Sequence, residues 1–473
     1  MSTFDTIIWL IVVVAAACFV LGLHLMNSPV TARQGNQLSA AGMAAAVAAT
    51  FAAVVHSGTV TATGWAVLLA GILVGSAAGL YSARTVRMTA MPQLVSMFNA
   101  VGGGAACIVA IHDFVRLATA AGATGVPEQV AVATALDVVI GAVTFSGSLI
   151  AAGKLQGVVN SAPVSFPGAR PVNAALAVVM LGGGAYMMTG VASVPILIVV
   201  MLAALGFGVT MVLPIGGADM PVVISLLNAF TGTAVAMAGF VINNVGLITA
   251  GALVGASGSI LTKLMADAMN RSLANIVIGG FGTGDTLTPA LGAGGASVRT
   301  VAAEDAAIQL AYAAKVIVVP GYGLAAAQAQ HEVQALAQLL ETRGVDVNYA
   351  IHPVAGRMPG HMNVLLAEAN VPYSQLKEMD EINPEFSRAD VALVIGANDV
   401  TNPAARRPGT PISGMPILNV DQAKNIIVIK RSMGHGYAGI DNELYLDPKT
   451  AMFFADAKTA LTEIAAAVKT LVG

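Results

Sequence analysis

The stretch Lys315-Val-Ile-Val-Val-Pro-Gly-Tyr-Gly-Leu-Ala-Ala326 determines how the second half of this chain folds. Its first residues are mostly apolar and β-branched, which is typical of a buried strand in a parallel sheet. Gly321-x-Gly323-x-x-Ala326 follows at once, and an Ala- and Gln-rich stretch predicts a helix to about Arg343. Because such glycines let a pyrophosphate approach the backbone at a helix N-terminus, the pattern predicts a dinucleotide-binding domain. A glycine-rich turn without a ligand is the alternative.

A second stretch, Val347-Asn-Tyr-Ala-Ile351, predicts the next strand of that sheet. Domains that bind NAD commonly place Asp or Glu at the end of this strand, where the carboxylate holds the ribose 2′-hydroxyl. His352 occupies that place here. Because a carboxylate there would repel a 2′-phosphate, its absence favours NADP over NAD.

Two cations and a hydroxyl follow a third predicted strand. The strand is Asn425-Ile-Ile-Val-Ile429, and the residues after it are Lys430-Arg431-Ser432. Ligands of open α/β sheets bind at the carboxyl ends of the strands, and cationic side chains form strong hydrogen bonds with phosphates. The segment therefore predicts a phosphate site. Two solvated charges at the end of a strand are the alternative.

A fourth predicted strand, Val391-Ala-Leu-Val-Ile395, is followed by Gly396-Ala-Asn-Asp399. A carboxylate at that edge would lie near the nucleotide, whose redox charge would shift its pKa; a local turn is the alternative role for Asp399. The segment Gly434-His-Gly-Tyr-Ala-Gly439 predicts a mobile loop that could cover the ligand. A last helix is expected over about residues 452–471.

The first half of the chain has a different composition. Of the 473 residues, 56% are hydrophobic and 10% are charged, whereas soluble domains contain about 25% charged residues. Only 13 of the 22 Lys and Arg and 25 Asp and Glu lie in residues 1–270. This distribution predicts an α-helical transmembrane bundle at 1–270, a Gly-rich linker at 271–310 and a soluble Rossmann-like α/β domain with a parallel sheet at 311–473.

About nine hydrophobic stretches are long enough to cross a bilayer as helices. They lie near residues 4–26, 38–56, 60–80, 91–112, 130–152, 173–190, 194–213, 221–243 and 246–268. The loops after odd-numbered spans contain Arg33, Arg84, Arg87, Lys154, Arg170 and Arg271, whereas the even-numbered loops contain only Arg116. Because basic loops face the cytoplasm, we expect the N-terminus outside and the dinucleotide domain in the cytoplasm.

Four polar residues in or beside these spans are candidates for a transport route. Asn99 and Asn228 lie in the fourth and eighth spans, each roughly 10–12 Å from the cytoplasmic side. Asp219 directly precedes the eighth span, and Asp137 lies within the fifth. Since polar groups inside a membrane are costly and often functional, these residues predict a polar path through the bundle. Hydrogen bonds that only hold helices together are the alternative.

Several other kinds of site lack support in the sequence. The net charge of −3 gives no indication of a nucleic-acid partner. The two cysteines, Cys18 and Cys107, show no CxxC or metal-ligand spacing. No Ser-His-Asp set and no metal cluster stands out in the sequence. Hydride transfer needs neither, because nicotinamide cofactors carry the chemistry.

Six segments, taken in order, are long and specific. They are Met88-Thr-Ala-Met-Pro-Gln-Leu-Val95, Gly216-Gly-Ala-Asp-Met-Pro-Val-Val223, Pro320-Gly-Tyr-Gly323, Ile351-His-Pro-Val-Ala-Gly-Arg-Met-Pro-Gly-His-Met-Asn363, Val394-Ile-Gly-Ala-Asn-Asp399 and Lys430-Arg-Ser432 with Gly436-Tyr-Ala-Gly439. In these segments, and over nearly its whole length, the chain resembles the β subunit of bacterial proton-translocating NAD(P) transhydrogenase.

The resemblance implies an enzyme subunit that is active only with a partner. In that family an α subunit, which can be split into two chains with membrane helices on one of them, binds NAD(H), and the soluble domain of β binds NADP(H). Hydride passes directly between NADH and NADP, coupled to proton movement across the membrane. The resemblance also implies a dimer of α–β units in the lipid bilayer of the bacterial inner (plasma) membrane. Asp380 and Glu381 would meet the α subunit.

The resemblance also implies a set of nucleotide contacts. Residues that would contact the pyrophosphate, the nicotinamide side and the neighbouring parts of the nucleotide are Gly321, Tyr322, Gly323, Ala326, Gly356, Arg357, Asn398 and Asp399. Lys430-Arg431-Ser432 would hold the 2′-phosphate of NADP(H). Tyr437 would belong to the loop that covers the nucleotide.

The resemblance implies roles in proton coupling in both halves of the chain. Asp399, with His352 nearby, would link nucleotide occupancy to protonation, and Asp219 and Asn228 would lie on the membrane proton route. The sequence departs from the family in one respect, because some members have a histidine where Asn99 stands. Since asparagine does not ionise, a histidine on a membrane helix of a partner chain, or water, would have to supply the proton site.

Two other functions fit parts of the pattern. A channel or transporter gated by nucleotide binding predicts that NADP binds without hydride chemistry and without an NAD-binding partner. The sequence contains no pore-filter motif to support it. An NADP-dependent reductase anchored to the membrane predicts a separate small substrate and no dependence on protons.

Overall fold

The computed structural model describes residues 3–26, 28–87, 90–121, 126–160, 164, 168–190, 193–216, 219–268, 298–357, 360–410, 412–434, 436, 438 and 440–472. The chain forms two compact units. The helical unit comprises Met1–Gly216 and Val222–Thr262, and the sheet unit comprises Gly217–Pro221 and Lys263–Gly473. Most of the predicted linker, residues 271–297, lies outside the described residues.

Nine long helices lie between residues 3 and 268. They are α1 (Thr3–Leu25), α2 (Pro29–Ser57), α3 (Ala62–Thr85), α4 (Met91–Ala121), α5 (Glu128–Gln156), α6 (Ala169–Met187), α7 (Val194–Val212), α8 (Met220–Val241) and α9 (Val245–Ala268). Eight of them are long and apolar enough to cross a membrane, and the protein is therefore membrane-spanning. The exception is α6, whose first turns contain Arg170 and Asn173. The sixth predicted span thus stays a prediction.

Glycine lets several of these helices approach one another closely. A Cβ atom placed on Gly258 of α9 would lie 2.9 Å from Cα of Ala229 on α8, and one on Gly232 of α8 would lie 2.8 Å from the carbonyl oxygen of Gly251. Such distances leave no room for a side chain. The helices α8 and α9 therefore pack tightly at Gly232, Gly251 and Gly258.

The sheet unit is built around six parallel strands. They are β1 (Lys315–Pro320), β2 (Asp346–Ile351), β3 (Leu376–Glu378), β4 (Val391–Ile395), β5 (Asn425–Lys430) and β6 (Thr450–Phe454). The strand order is β3-β2-β1-β4-β5-β6, and every neighbouring pair is parallel. The order reverses between β1 and β4, and in such sheets the crevice at this reversal is where ligands bind.

Helices cover the sheet of this unit. They are α10 (Ala303–Ala311), α11 (Tyr322–Ala326), α12 (Gln330–Glu341), α13 (His361–Glu368), α14 (Met379–Ile382) and α15 (Ala457–Val472). The core between sheet and helices contains alternate residues of the central strands, among them Ile317 and Val319 of β1 and Ala392 and Val394 of β4. The four strands predicted from sequence and the Rossmann-like class are confirmed.

Two predictions of helix bounds in this unit are wrong. The single helix expected to run to about Arg343 breaks into α11 and α12, because Gln328 adopts a positive φ of 51° between them. The helix expected from about residue 452 begins only at Ala457. Residues Thr450–Phe454 instead pair with β5, and the carboxylate of Asp456 then accepts the N–H of Lys458 at the start of α15.

Candidate functional site

One cavity of the sheet unit lies where the strand order reverses. Most residues predicted to bind a cofactor line it, namely Gly321, Tyr322, Gly323, Ala326, Gly356, Asn398, Asp399, Lys430, Arg431 and Ser432. These residues follow β1, β2, β4 and β5 in the chain, so the carboxyl edge of a parallel sheet gathers segments that are far apart in sequence. Arg357 and His352 are not among the lining residues.

The floor of the cavity is a contact between two glycine turns. The N–H of Gly321 donates to the carbonyl of Ile395 (2.9 Å), and the N–H of Gly323 donates to the carbonyl of Gly396 (3.0 Å). Gly396 has a φ of 62°, and a Cβ on it would collide with the backbone of Gly323. Glycine is therefore required on both sides. Since the two amides are used within the protein, they bring the β1 and β4 turns together and do not point at a ligand.

A tyrosine and an arginine flank the loop after β2. The guanidinium carbon of Arg357 lies 4.3 Å from the ring centroid of Tyr322, in a cation–π arrangement. The N–H of Arg357 donates to Nδ1 of His361 (3.1 Å). A side chain on Gly356, whose φ is 105°, would collide with the His361 ring. Glycine at 356 thus allows His361 to hold the backbone that carries Arg357.

Both histidines of this region are held neutral by burial. The side chain of His352 is almost fully buried, its Nδ1 accepts the N–H of Val354 (3.2 Å), and its Nε2 lies 2.8 Å from the carbonyl of Pro416. Because a carbonyl can only accept, the proton sits on Nε2. Burial lowers the pKa of His352 to about 4, and burial followed by the nearby Arg357 charge lowers that of His361 to about 4.

The loop after β4 is held by side chains from a later segment. The carboxylate of Asp399 accepts the N–H of Ala438 (3.0 Å), and a Cβ on Gly436 would collide with that carboxylate. The hydroxyl of Tyr445 lies 3.1 Å from Oδ1 of Asn398, and the amide of Asn442 donates to the Asn398 carbonyl (2.9 Å). The Asp399 carboxylate thus connects the end of β4 with the segment that contains Gly436 and Ala438.

The end of β5 presents positive charge to the cavity. The ammonium of Lys430 donates to the carbonyl of Gly434 and lies 4.7 Å from the ring centroid of Tyr445. Burial lowers the pKa of Lys430, while the nearby carboxylates of Asp399 and Asp441 act in the opposite direction. The side chains of Arg431 and Ser432 are exposed. Within the described part of the chain, Arg431 has no ion-pair partner, so its charge is available to an anion.

The predicted polar residues of the membrane part lie on several helices. The amide of Asn99 on α4 donates to the carbonyl of Ile224 on α8 (3.3 Å), one turn before Asn228. The hydroxyl of Thr231 on α8 lies 3.3 Å from the carbonyl of Asn99. Asn99 therefore joins α4 to α8, and its amide binds a backbone group of α8. Asn228 is half-buried in the same helix, and Asp219 is half-buried directly before it.

Tyr437 lies outside the described residues. Asp380 and Glu381 are exposed, and Glu381 pairs with Lys377. The sequence reasoning did not single out His361 or Tyr445, which support the cavity from outside. A histidine four residues after Arg357, within the specific segment from Ile351 to Asn363, was a signal for the first. No local signal marks Tyr445, because the partners of its hydroxyl, Ala397 and Asn398, lie more than forty residues away.

Comparisons with known proteins agree with this geometry. The family described as NAD(P) transhydrogenase beta subunit matches residues 8–467. Two curated relatives, both named NAD(P) transhydrogenase subunit beta and both from Rhodospirillum rubrum, are 48% identical to this chain over 460 residues, which is 96% of this chain and 98% of theirs. A match of this extent covers the membrane helices and the parallel sheet alike, and the chain therefore belongs to the NAD(P) transhydrogenase beta subunit family.

Proposed function

We propose that this chain is the NADP(H)-binding membrane subunit of a proton-translocating transhydrogenase, in which hydride passes between NADH on a partner α subunit and NADP on this chain. The observation that carries the proposal is the position of Lys430, Arg431 and Ser432 at the rim of a glycine-lined cavity of a parallel sheet. The strand that usually ends in a ribose-binding carboxylate ends instead at His352, which is buried.

The residues of the cavity fit an NADP molecule. Gly321, Gly323 and Gly356 have no side chains that would fill the cavity, and a Cβ at any of the three would collide with neighbouring atoms. Tyr322, Ala326 and Asn398 also line the cavity. In our proposal these residues bind the pyrophosphate and nicotinamide side, with Arg357 behind Tyr322. Nicotinamide supplies the hydride chemistry when bound.

The 2′-phosphate would bind at the cluster Lys430-Arg431-Ser432. Arg431 has an exposed guanidinium, Ser432 offers a hydroxyl, and Lys430 is directed by its contacts with Gly434 and Tyr445. Charge-assisted hydrogen bonds of this kind contribute about 1.5–3 kcal/mol each. The segment that contains Tyr437 follows directly, and we propose that it covers the bound nucleotide.

Asp399 would link nucleotide binding to protonation. Its carboxylate accepts an N–H from Ala438, close to Gly436, and thus from the segment proposed to cover NADP(H). Protonation would weaken that contact and so favour release of the nucleotide. His352, being neutral and bonded at both nitrogens, would contribute by holding the loop before Gly356 in place.

The proton route would include Asp219, Asn228 and Asn99. Asn99 and Asn228 lie within about one turn of each other across the contact of α4 and α8, as indicated by the bond from Asn99 to Ile224. Neither asparagine can ionise, so a protonatable group elsewhere has to carry the proton. A histidine on a membrane helix of the partner chain is one candidate.

The proposed assembly is a dimer of α–β units in the bacterial inner membrane. The N-terminus would lie outside and the NADP domain in the cytoplasm, with residues 1–270 in the bilayer, 271–310 as linker and 311–473 as nucleotide domain. The α subunit, in one chain or two, would bind NAD(H). It would contact the exposed residues Asp380 and Glu381.

The first test is nucleotide binding to the whole chain in detergent, measured by calorimetry. We expect NADP(H) to bind roughly 10–150-fold more tightly than NAD(H), which corresponds to one charge-assisted contact. The affinity for NADPH should also depend on pH, and Asp399→Asn should remove that dependence. Equal affinities for the two nucleotides would contradict the phosphate site.

The second test reconstitutes the chain with its α partner in liposomes. NADH-dependent reduction of NADP should depend on α and should respond to an imposed proton gradient. Binding of NADP without any hydride transfer in the complete complex would favour the gated channel or transporter. Reduction of a separate substrate without any response to the gradient would favour the anchored reductase.

A further inference from the structure

One face of α5 carries a row of polar residues over about four turns. Thr134, Asp137, Thr144 and Ser148 recur at intervals of three, four or seven residues, which places them on one side of a helix. All four are fully buried. Polar residues buried inside a membrane bundle are costly, and ionisable ones among them commonly serve a function.

This face packs against α4. A Cβ on Gly103 of α4 would lie 3.1 Å from the carbonyl oxygen of Gly141 on α5, and one on Gly141 would lie 3.0 Å from Cβ of Cys107. Farther along, the hydroxyl of Ser96 on α4 donates to the carbonyl of Ser148 on α5 (2.8 Å). The polar stripe of α5 therefore lies in the seam between the two helices.

Asp137 is the ionisable residue of this stripe. Its side chain is fully buried, and within the described residues neither carboxylate oxygen has a hydrogen-bond partner. Oδ1 lies in the α4–α5 seam, 3.4 Å from where a Cβ on Gly141 would be. The hydroxyl of Thr134, one turn away, is also buried without a partner in the described part of the chain. Buried polar atoms of this kind require an explanation.

The helices around Asp137 do not fix its charge. The helices α7 and α8 contain no ionisable residue. On α4 the nearest ionisable group is the thiol of Cys107, whereas His112 is exposed and Asp113 pairs with Arg116. On α6 the ionisable residues are Arg170, in the first turn, and Tyr186, which is 49% exposed. An unpaired carboxylate in such surroundings is stable only when it can take up a proton.

We propose that Asp137 is a proton-carrying group of the membrane route, an inference that rests on the proposed function. Its carboxylate takes a proton from a hydronium ion that enters the seam, giving the neutral acid and water, and it returns the proton to water on the opposite side. Cys107, beside Asp137, is eight residues beyond Asn99 on α4, or roughly 12 Å along the helix axis. Asp137 thus supplies the ionisable group that Asn99 does not.

The experiment uses the complete α–β complex in liposomes. We compare Asp137→Asn and Asp137→Glu with Asp113→Asn, a matched control that removes a carboxylate of the same helical unit that is paired with Arg116. Three quantities are measured, namely steady-state transhydrogenation, proton uptake or release by the liposomes, and single-turnover hydride transfer between nucleotides already bound.

We expect Asp137→Asn to lower steady-state turnover and proton transport at least tenfold. Single-turnover hydride transfer and NADPH affinity should stay unchanged, because the nucleotide site is intact. Asp137→Glu should restore both steady-state quantities with a shifted pH profile, and Asp113→Asn should behave as the wild type. Infrared difference spectra between acid and alkaline pH should contain a carboxylic-acid band that Asp137→Asn lacks.

Wild-type proton transport in Asp137→Asn would overturn the inference. Should that variant fail to assemble, Asp137→Glu decides, since an unchanged pH profile would also overturn it. The wild-type complex separates this result from failure of the proposed function. If the wild type transfers hydride and moves protons, only the role of Asp137 is at issue. If it does neither, the proposed function fails first.

Discussion

The two units of this molecule use glycine in different ways. In the helical unit Gly232 and Gly251 have ordinary helical conformations, and their small size lets two helix backbones touch. In the sheet unit Gly356 and Gly396 have positive φ values of 105° and 62°, and each also packs against a neighbouring turn. Alanine would thus be opposed only by steric contact in the helices. In the loops it would be opposed by steric contact and by the positive φ.

The two units also differ in whether their buried polar side chains have hydrogen-bond partners. Both nitrogens of His352 in the sheet unit have backbone partners, whereas the carboxylate of Asp137 in the helical unit has none among the described residues. A satisfied group holds a structure in place, while an unsatisfied buried one is suited to bind and release a proton. In the proposed function, the sheet unit positions a ligand and the helical unit moves a charge.

The largest effect is expected from Gly396→Ala. Alanine at positive φ costs about 1–2 kcal/mol, and the collision with Gly323 adds about 1–3 kcal/mol, so the sheet unit should lose roughly 4 kcal/mol of stability. Binding of NADP(H) should fall below detection. The matched control is Gly409→Ala, where φ is 88° but no described atom lies within 4 Å of the new Cβ, so the cost should be about 1–2 kcal/mol.

Thermal unfolding and calorimetric titration of both variants measure this contrast. Equal losses for Gly396→Ala and Gly409→Ala would mean that the left-handed conformation alone matters. The close approach of the two turns would then contribute nothing.

A smaller effect is expected from His352 at acid pH. Burial lowers its pKa from 6.5 to about 4, so between these values the unfolded chain binds more protons than the folded one. Stability should therefore fall as the pH drops through this window, by roughly 3 kcal/mol for this residue. His352→Asn should be less stable than the wild type at neutral pH but should lose less on acidification.

Hydrogen exchange of the β2 and β4 amides, corrected for the intrinsic rate at each pH, gives the opening free energy for this test. His361, whose pKa is also lowered to about 4, should leave part of the acid sensitivity in the variant. The exposed His331 provides the control, and His331→Asn should leave the curve unchanged. If the opening free energies of His352→Asn and the wild type fell equally on acidification, burial of His352 would contribute nothing to the acid sensitivity.

Lys430→Ala should weaken NADP(H) binding by about 1.5–3 kcal/mol, or roughly 10–150-fold, and NAD(H) binding far less. The control is Lys424→Ala, because Lys424 precedes the same strand at its opposite end and pairs with Asp390. Calorimetric titration of each variant with NADP(H) and NAD(H) measures the two changes in affinity. Equal weakening of NADP(H) and NAD(H) by Lys430→Ala would place the 2′-phosphate elsewhere.

The lining of the candidate cavity could be predicted from sequence because each of its segments is a local pattern. The strand, turn and glycines of 315–326 and the cluster Lys430-Arg431-Ser432 are local patterns, and the parallel sheet brings their carboxyl ends together by rule. The break at Gln328 and the strand Thr450–Phe454 were missed, since a positive φ and pairing with β5 are not encoded in hydrophobic periodicity.

The surroundings of the membrane residues could not be predicted in the same way. The sequence placed Asp137 in a helix, but only the packing of α4 on α5 shows that its oxygens lie in a seam without partners in the described part of the chain. Likewise, the sequence placed Asn99 and Asn228 at the same depth, but only the structure shows that the amide of Asn99 binds the backbone at Ile224. Helix packing depends on pairs of residues that are far apart in the chain, and no short motif records them.

The smallest effect is expected from replacing glycine by alanine in two membrane helices, where the change in stability should have opposite signs. Alanine stabilises a helix relative to glycine by up to about 1 kcal/mol. On α3, nothing described lies within 4 Å of a Cβ on Gly75, so Gly75→Ala should be neutral or slightly stabilising. On α9, a Cβ on Gly251 would lie 2.6 Å from the carbonyl oxygen of Gly232, and Gly251→Ala should cost about 1–2 kcal/mol after the gain in propensity. Thermal unfolding of the two variants in one detergent measures the difference, and a stabilising Gly251→Ala would mean that α8 and α9 can separate without cost.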